Sequence, residues 1–248
     1  MFLCATADLA GDVVVLGGSE GRHAATVRRL GPGERVDLSD GSGLMAECVV
    51  TAARAGALEL VVRSRRSQPR PDLTLVVAQA LPKGDRGQLA VELMTEAGVD
   101  AIVPWAAQHC VTRWEGERGA RSAQRWQATA REAAKQARRA WLPEVAPLVS
   151  TAGLLTRVAQ ARLAVLLDPA GQVALAHLPV PASGEIVVVV GPEGGVSPTE
   201  TGALVAAGAV RACLGPTVLR TSSAGVVAAA VLLSRTGRWD TPLAAGQS

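Results

Sequence analysis

The stretch that decides the fold is Ile186-Val187-Val188-Val189-Val190, followed directly by Gly191-Pro192-Glu193-Gly194-Gly195-Val196-Ser197-Pro198-Thr199-Glu200. An unbroken run of β-branched residues that ends at glycine is typical of a strand buried on both faces. The glycines of the loop allow a ligand to lie directly on the backbone. Ser197 as N-cap, Pro198 at the first helical position and Glu200 completing a capping box then predict a helix.

The alternation of strand and helix extends over the chain from Leu73 onward. Strands are predicted at Leu73–Gln79, at Ala101–Val103 (ended by Pro104), and at Leu163–Leu167, Ile186–Val190 and Val210–Leu214. Helices are predicted at Gly87–Ala97, Ala120–Ala140, Thr199–Ala207 and Ala224–Ser234. Apolar strands separated by helices indicate a mostly parallel sheet that is covered on both sides. Residues 71–248 are therefore predicted to form an α/β domain.

Residues 1–70 show a different pattern of short apolar runs broken by turns. The runs are Val13–Leu16, Arg35–Leu38, Leu44–Val50 and Ala57–Val62. The Asp40-Gly41-Ser42-Gly43 segment between two of them predicts a β-hairpin. The Arg-, Ser-, Gln- and Pro-rich stretch 63–71 marks a domain boundary by its composition. We expect a small β domain over residues 1–70.

Composition narrows the class of protein. The chain has 248 residues, 48% hydrophobic content and a net charge of +3, which excludes a disordered chain. Cys4, Cys48, Cys110 and Cys213 lie far apart, which argues against a metal site and against a disulfide scaffold and favours free thiols in a reducing compartment. The N-terminus lacks the features of a signal peptide, and the apolar run Ala224–Leu233 is too short to span a bilayer. We expect a cytoplasmic protein that binds neither a metal nor a membrane.

Positive charge is concentrated in two zones. Residues 113–139 carry eight basic and three acidic side chains, and residues 63–70 carry four basic side chains and no acid. These zones are consistent with binding of a polyanion and equally with solvated helix faces. Trp105, Trp114, Trp126 and Trp141 lie near the longer zone, where they either stack on bases or pack in the core.

Ligands of parallel α/β sheets bind in the loops at the carboxyl ends of the strands. Three loops qualify here: Asp168–Gly171, Gly191–Ser197 and Gly215–Ser223. No phosphate-binding or dinucleotide-binding glycine motif is present, and Glu193 would repel a phosphate, so a neutral or cationic ligand suits the loops better. A plain strand-to-helix turn is the alternative. Arg220 either pairs with Glu193 or faces an anionic substrate.

The pair of loops Gly191–Ser197 and Leu214–Thr221 resembles the SPOUT-class ribosomal RNA small subunit methyltransferase E family. Other matching segments follow in the family's order over roughly residues 20–234. They are Gly21-Arg22-His23, Val27-Arg28, Asp40–Gly43, Lys83–Arg86, Glu92–Val99, and Arg125-Trp126 with Glu132, Gln136, Arg139 and Pro143.

The resemblance implies an enzyme that uses S-adenosylmethionine to methylate N3 of a uridine in 16S rRNA of the small ribosomal subunit. It implies a PUA-like RNA-binding β-barrel domain at 1–70, and a SPOUT methyltransferase domain at 71–248 whose loops form a C-terminal trefoil knot around the cofactor. A homodimer is also implied. The residues expected to bind the cofactor are Leu167, Asp168, Gly191, Pro192, Glu193, Gly194, Gly195, Leu214, Gly215, Val218, Leu219 and Arg220. The residues expected to bind RNA are Arg22, Arg28, Arg86, Arg125, Gln136 and Arg139.

Two catalytic roles are predicted within these loops. Arg220 would stabilise negative charge that develops on the uracil or would position its phosphate. Glu193 would orient Arg220 or interact with the amine of the methionine moiety. A related methyltransferase acting on another RNA, and a catalytically silent RNA-binding or assembly protein, are the competing interpretations.

The chain departs from the family pattern at two places. The segment Gln108-His109-Cys110-Val111 lacks the arginine that is usual there. Ala137-Arg138 stands where a small Ser/Cys-Gly pair is common.

Overall fold

The computed structural model describes residues 1–240 of the chain. The chain divides into two compact units: residues 1–70 together with 134–142, and residues 71–133 together with the chain from 143 onward. The segment 134–142, which the sequence analysis assigns to the second domain, thus groups by its contacts with the first unit. Backbone hydrogen bonds explain this grouping, because Gly43 N–H donates to Ala140 O and Leu142 N–H donates to Gly41 O, each at 3.0 Å.

The first unit is built on an antiparallel sheet with one added parallel strand. Its strands are β1 (Phe2–Leu3), β2 (Val13–Leu16), β3 (Arg35–Ser39), β4 (Leu44–Arg54) and β5 (Ala57–Ser67). The strand order is β1-β3-β4-β5-β2, a path with two free ends, so the sheet is an open, curled half-barrel. The predicted hairpin at Asp40–Gly43 is confirmed, since it joins the antiparallel pair β3 and β4. A short helix, α1 (Gly18–Arg22), continues as a π-helical turn over His23–Val27.

The stretch 63–71, whose composition marks a domain boundary, begins within strand β5, while the two units divide between Arg70 and Pro71. Strand β5 continues to Ser67 and pairs with the first residues of β4 as far as Leu44. Its arginines are exposed, and the Arg65 guanidinium donates to Leu9 O at 2.7 Å and to Gly11 O at 2.6 Å. Backbone pairing thus keeps a polar sequence in a strand.

The second unit contains the predicted parallel sheet, which is confirmed. Its strands are β6 (Leu73–Ala80), β7 (Ala101–Ala106), β8 (Glu144–Val145), β9 (Val149–Ser150), β10 (Leu163–Leu167), β11 (Val173–Ala174), β12 (Gly184–Val190) and β13 (Val210–Cys213). The order is β11-β13-β10-β12-β6-β7-β8, with β9 also paired to β7. Its helices are α2 (Arg86–Ala97), α3 (Gly116–Gln136, which runs on into the segment 134–142), α4 (Thr151–Gln160), α5 (Pro198–Ala206) and α6 (Thr221–Leu233). Strand β12 is central in this order, and Val187, Val188 and Val189 are fully buried.

Several predicted ends of strands and helices differ from the structure: α3 begins at Gly116 rather than Ala120, α6 begins at Thr221 rather than Ala224, and β7 and α3 also end elsewhere than predicted. Pro104 lies inside β7, between the residues that pair with β8 and those that pair with β9, so its missing N–H breaks no ladder at that edge. Helix α3 ends at Gln136 because Arg138 adopts a left-handed conformation, with φ of +52°. Arg139 N–H then donates to Ala134 O at 2.9 Å, a common way to end a helix.

Helix α4 is not among the helices predicted from the sequence, although its start carries a local cap. Ser150 Oγ accepts a hydrogen bond from Gly153 N–H at 3.3 Å. Replacing Ser150 by Ala is expected to lower the free energy of unfolding by about 1 kcal/mol, because that N–H loses its acceptor. Urea unfolding followed by circular dichroism measures the change. Ser150→Asp keeps an acceptor and should match the unaltered protein, and equal stability of the Ala variant would contradict the capping role.

Within residues 1–240, no helix combines the length and the apolar character needed to cross a membrane.

Candidate active site

A cavity of about 620 Å³ lies at the carboxyl ends of β10, β12 and β13. The three loops singled out in the sequence meet there. The lining contains every residue expected to bind the cofactor: Leu167, Asp168, Gly191, Pro192, Glu193, Gly194, Gly195, Leu214, Gly215, Val218, Leu219 and Arg220. Arg86, expected to bind RNA, also lines this cavity. Thr201 and Thr221 line it as well; Thr221 belongs to a loop singled out in the sequence, although neither was among the residues expected to bind the cofactor.

Two glycines of the first glycine loop are required by its conformation. A Cβ atom added at Gly191 would lie 2.7 Å from Val196 Cγ2, and Gly195 has a φ of +75°. Gly195 N–H donates to Pro192 O at 2.9 Å, which closes the turn. The Thr221 hydroxyl at the start of α6 donates to Gly191 O at 3.1 Å, so the two glycine-containing loops are tied to each other.

Beside these loops is a buried carboxylate. Glu200 is 6% exposed, and its Oε1 accepts from Gln108 N–H at 2.9 Å and from the Thr151 hydroxyl at 2.7 Å. Its Oε2 accepts from the Ser197 hydroxyl at 3.0 Å, and Trp105 Nε1–H donates to Thr151 Oγ1 at 3.2 Å. Burial alone would raise the pKa of Glu200, but the hydrogen bonds that it accepts outweigh burial and hold that pKa below its ordinary value.

His109 contacts the same loop from the other side. Its Nδ1 lies 3.2 Å from Gly194 O and 3.1 Å from Gly195 O. Carbonyl oxygens only accept hydrogen bonds, so these contacts require the hydrogen on Nδ1. A Cβ at Gly194 would lie 3.2 Å from the Cβ of His109. The histidine that replaces the usual arginine of this segment is therefore packed against the backbone of the glycine loop.

The ion pair considered between Glu193 and Arg220 is not formed. Among the described residues, Glu193 Oε1 instead accepts from Lys83 N–H at 3.1 Å, and no salt bridge joins it to Arg220. The Arg220 side chain is exposed and makes no hydrogen bond within residues 1–240, while its carbonyl accepts from Ala224 N–H at 2.9 Å at the start of α6. The carboxylate of Asp168 pairs with Arg211 at 2.6 Å. The guanidinium of Arg220 thus remains available to a ligand.

The residues expected to bind RNA are distributed over both units. Arg86 and Arg125 belong to the second unit, whereas Arg22, Arg28, Gln136 and Arg139 belong to the first. Arg86 lines the cavity described above, and Arg125 lines a second cavity beside α3.

Comparison with known proteins agrees with this architecture. A family model described as "RNA methyltransferase domain" matches residues 69–233, and one described as "RNA methyltransferase PUA domain" matches residues 16–63. The ribosomal RNA small subunit methyltransferase E of Mycobacterium bovis is 47% identical over 93% of this chain and 89% of its own length. The chain belongs to the ribosomal RNA small subunit methyltransferase E family.

More distant members of this methyltransferase family match almost as completely. The Bacillus subtilis protein of the same name is 26% identical over 88% of this chain and 89% of its own length. The crystal structure of the Neisseria gonorrhoeae ribosomal RNA small subunit methyltransferase E, bound to S-adenosyl methionine, has a TM-score of 0.84 and 26% identity. That match covers 95% of this chain and 97% of the solved one. The architecture described above is therefore that of the family.

The cysteines of this methyltransferase are all free thiols, as predicted. Burial raises the pKa of Cys4 to about 12 and that of Cys48 to about 11, and burial also raises the pKa of Cys110. These three thiols are therefore protonated at neutral pH and poorly suited to act as nucleophiles. Within residues 1–240, no group of three or more His, Cys, Asp and Glu side chains is arranged to hold a metal ion.

Proposed function

We propose that this family member transfers the methyl group of S-adenosylmethionine to N3 of a uridine in 16S rRNA of the small ribosomal subunit. The observation that carries the proposal is the convergence of the predicted loops on one cavity beside an unpaired arginine. Family membership and the S-adenosyl methionine-bound relative support it. The uridine N3 position and this chain's use of the cofactor rest on the resemblance.

The residues of the cavity suit S-adenosylmethionine. A volume of about 620 Å³ is in the range of small-molecule sites. Glycines at 191, 194 and 195 carry no side chain over their backbone, so an adenine and a ribose can approach it closely, and their carbonyl oxygens, which already accept from Thr221 and His109, each keep a second lone pair for a ligand. The exposed carboxylate of Glu193 keeps lone pairs for an ammonium group, since Lys83 N–H uses only one of its oxygens. When bound, the cofactor supplies a methyl group on a positively charged sulfur.

The chain's own contribution is positioning and charge stabilisation. Rigid loops hold two reactants in one geometry, which supplies most of the acceleration expected for a group transfer. N3 of uridine must lose its proton before or during attack, and negative charge then spreads over the uracil ring and its oxygens. We assign Arg220 to stabilise this charge because it lines the cavity and its exposed side chain has no hydrogen-bond or ion-pair partner among the described residues.

Methylation of small subunits tests the function. Small ribosomal subunits from cells that lack this protein would be incubated with the purified protein and labelled S-adenosylmethionine, and the rRNA nucleosides would be identified by mass spectrometry. Labelled 3-methyluridine in 16S rRNA supports the proposal. Label in another nucleoside contradicts the assigned atom. Cofactor binding without label contradicts the assigned substrate, and failure to bind the cofactor favours a silent RNA-binding protein.

His109 is predicted to support cofactor binding through the glycine loop. Replacing His109 by Ala removes the donor to Gly194 O and Gly195 O, and affinity for S-adenosylmethionine is expected to fall by about 3- to 10-fold. Isothermal titration calorimetry measures the change. Gln108→Ala is the matched control, because the Gln108 side chain makes no hydrogen bond within residues 1–240. His109→Asn returns a donor near the position of Nδ1 and should recover part of the affinity. Equal affinity of the Ala variant and the control would contradict the role.

The resemblance further predicts a trefoil knot and a homodimer, and both remain predictions. Sedimentation velocity of the purified protein measures the oligomeric state directly.

A further inference from the structure

A second cavity in the same unit, of about 970 Å³, is distinct from the first. Its walls are the start of α2, the segment 111–115 and the first half of α3. Four arginines line it, and they are Arg113, Arg118, Arg121 and Arg125. Only Asp85 and Glu115 among the lining residues carry negative charge, so the cavity is positively charged overall.

The floor of this cavity is an aromatic pair held by two glycines. Trp114 and Trp126 meet edge to face, with ring centroids 4.9 Å apart and an interplanar angle of 82°. A Cβ at Gly87 would lie 2.7 Å from Trp126 Cζ2, and a Cβ at Gly119 would lie 2.5 Å from the carbonyl carbon of Trp114. Both line the cavity, but Trp126 is a core residue only 4% exposed, whereas Trp114 packs against the core and is only partly buried. The sequence left the role of these tryptophans open, and the structure separates them.

Few acidic side chains of the protein pair with the arginines of the second cavity. Arg118 and Arg125 are exposed and form no ion pair or hydrogen bond through their side chains among the described residues. Arg121 pairs with Glu117 at 3.3 Å on the exposed helix surface, a type of pair that holds an arginine weakly. Unneutralised arginines beside a partly exposed tryptophan match the composition of sites for single-stranded nucleic acid, in which bases stack and phosphates pair.

The two cavities share a wall. Asp85 and Gly87 line the second cavity, and Arg86 between them lines the first. This wall is fixed on both sides, because Lys83 N–H donates to Glu193 and the Thr112 hydroxyl donates to Pro82 O at 2.8 Å. The segment 82–87 therefore contributes to both cavities, which makes the second cavity a candidate site for the part of an RNA strand next to a nucleotide bound at the first.

We propose that the second cavity binds the single-stranded RNA segment that adjoins the target nucleotide. One base stacks on Trp114, and the backbone phosphates pair with Arg118 and Arg125. The inference rests on the proposed function and deepens it, because it assigns residues to hold the strand on one side of a nucleotide removed from its stack. It goes beyond the cofactor loops and predicts selectivity for unpaired RNA.

The charge part of the proposal is tested with the double variant Arg118→Gln/Arg125→Gln. Its control, Arg162→Gln/Arg235→Gln, removes the same charge at exposed arginines of the same unit that line neither cavity and lie outside both basic zones. Fluorescence anisotropy with a fluorescein-labelled single-stranded oligouridylate, and the KM for small ribosomal subunits, are both measured. We expect at least a 10-fold weaker interaction in both assays for the cavity variant, and a slope of log affinity against log salt smaller in magnitude by about 1.4. Affinity for S-adenosylmethionine should not change.

The aromatic part is tested at Trp114. Trp114→Leu keeps an apolar side chain against Trp126 but removes the stacking face, and about a 10-fold loss of oligouridylate affinity is expected. Trp114→Phe should retain most of the affinity, and thermal unfolding checks that both variants fold. Equal affinity of the arginine double variant and its control, or of the Leu and Phe variants, would overturn the inference. The oligouridylate assay measures binding and does not depend on turnover. If the unaltered protein bound oligouridylate but did not methylate small subunits, the proposed function would be overturned and this inference would not.

Discussion

Replacing Arg220 by Ala is expected to lower the kcat of rRNA methylation by about 10²- to 10³-fold, the loss typical of removing one group that stabilises charge in a transition state. The side chain lines the cavity and has no internal partner among the described residues, so its removal leaves no buried group unsatisfied. Stability should therefore remain unchanged. Single-turnover assays with saturating S-adenosylmethionine and small subunits measure the chemical step.

A control variant and a charge-conserving variant make this result interpretable. Arg162→Ala removes an exposed arginine of the same unit that lines neither cavity, and it should leave kcat unchanged. Arg220→Lys keeps the charge but loses the planar fork of donors, and an intermediate rate is expected. An effect of Arg220→Ala confined to the KM for RNA would instead indicate that Arg220 positions a phosphate. Unchanged turnover would contradict a catalytic role altogether.

Strands, helices and turns that are determined by residues close together in the sequence were predictable. Val187–Val189 are apolar without alternation, so a strand buried on both faces is the structure that satisfies them. The capping box of Ser197 and Glu200 places the start of α5 within one residue of the observed helix. The hairpin at Asp40–Gly43 has the same kind of local cause. Such features depend on neighbours a few residues away, and a sequence displays those neighbours directly.

Features made by distant residues were not predictable from a pattern. His109 contacts the carbonyl of Gly194, 85 positions away, and nothing near His109 indicates that partner. Glu200 was predicted as a helix cap, but its bonds to Gln108 and Thr151 join segments 92 and 49 residues apart. The arginines of α3 were recognised as a basic zone, yet their place beside Trp114 depends on the close approach that Gly119 permits.

The two cavities of the second unit are lined by different chemical groups, which suit different ligands. Backbone groups of the glycine loops surround the first cavity, which suits a small ligand with many hydrogen-bonding atoms. Side-chain cations and a tryptophan surround the second, which suits a charged polymer of stacked bases. Arg86 and Arg220 both line the first cavity, so two positively charged side chains lie beside the proposed site of methyl transfer. The segments next to this cavity are held together by the hydrogen bonds that Glu200 accepts.

Replacing Glu200 by Ala is expected to lower the free energy of unfolding by about 3 kcal/mol. The change leaves Gln108 N–H, the Thr151 hydroxyl and the Ser197 hydroxyl without their buried acceptor, and each unsatisfied group is costly. It also removes one half of the capping box of α5. Urea unfolding measures the loss, and Glu96→Ala, at an exposed position on α2, is the matched control.

The pH dependence of stability provides an independent test of the same carboxylate. The fold holds the pKa of Glu200 below its ordinary value of 4.5, so folding favours the charged form. The stabilisation is therefore fully present above that value and is lost as the pH falls through the lower pKa of the folded state. Glu200→Gln keeps an acceptor for Gln108 N–H and Thr151 but does not titrate, so the stability gap between it and the unaltered protein should narrow on acidification below 4.5. A gap that stays constant with pH, or equal stability of Glu200→Ala and Glu96→Ala, would show that the buried carboxylate does not hold these loops together.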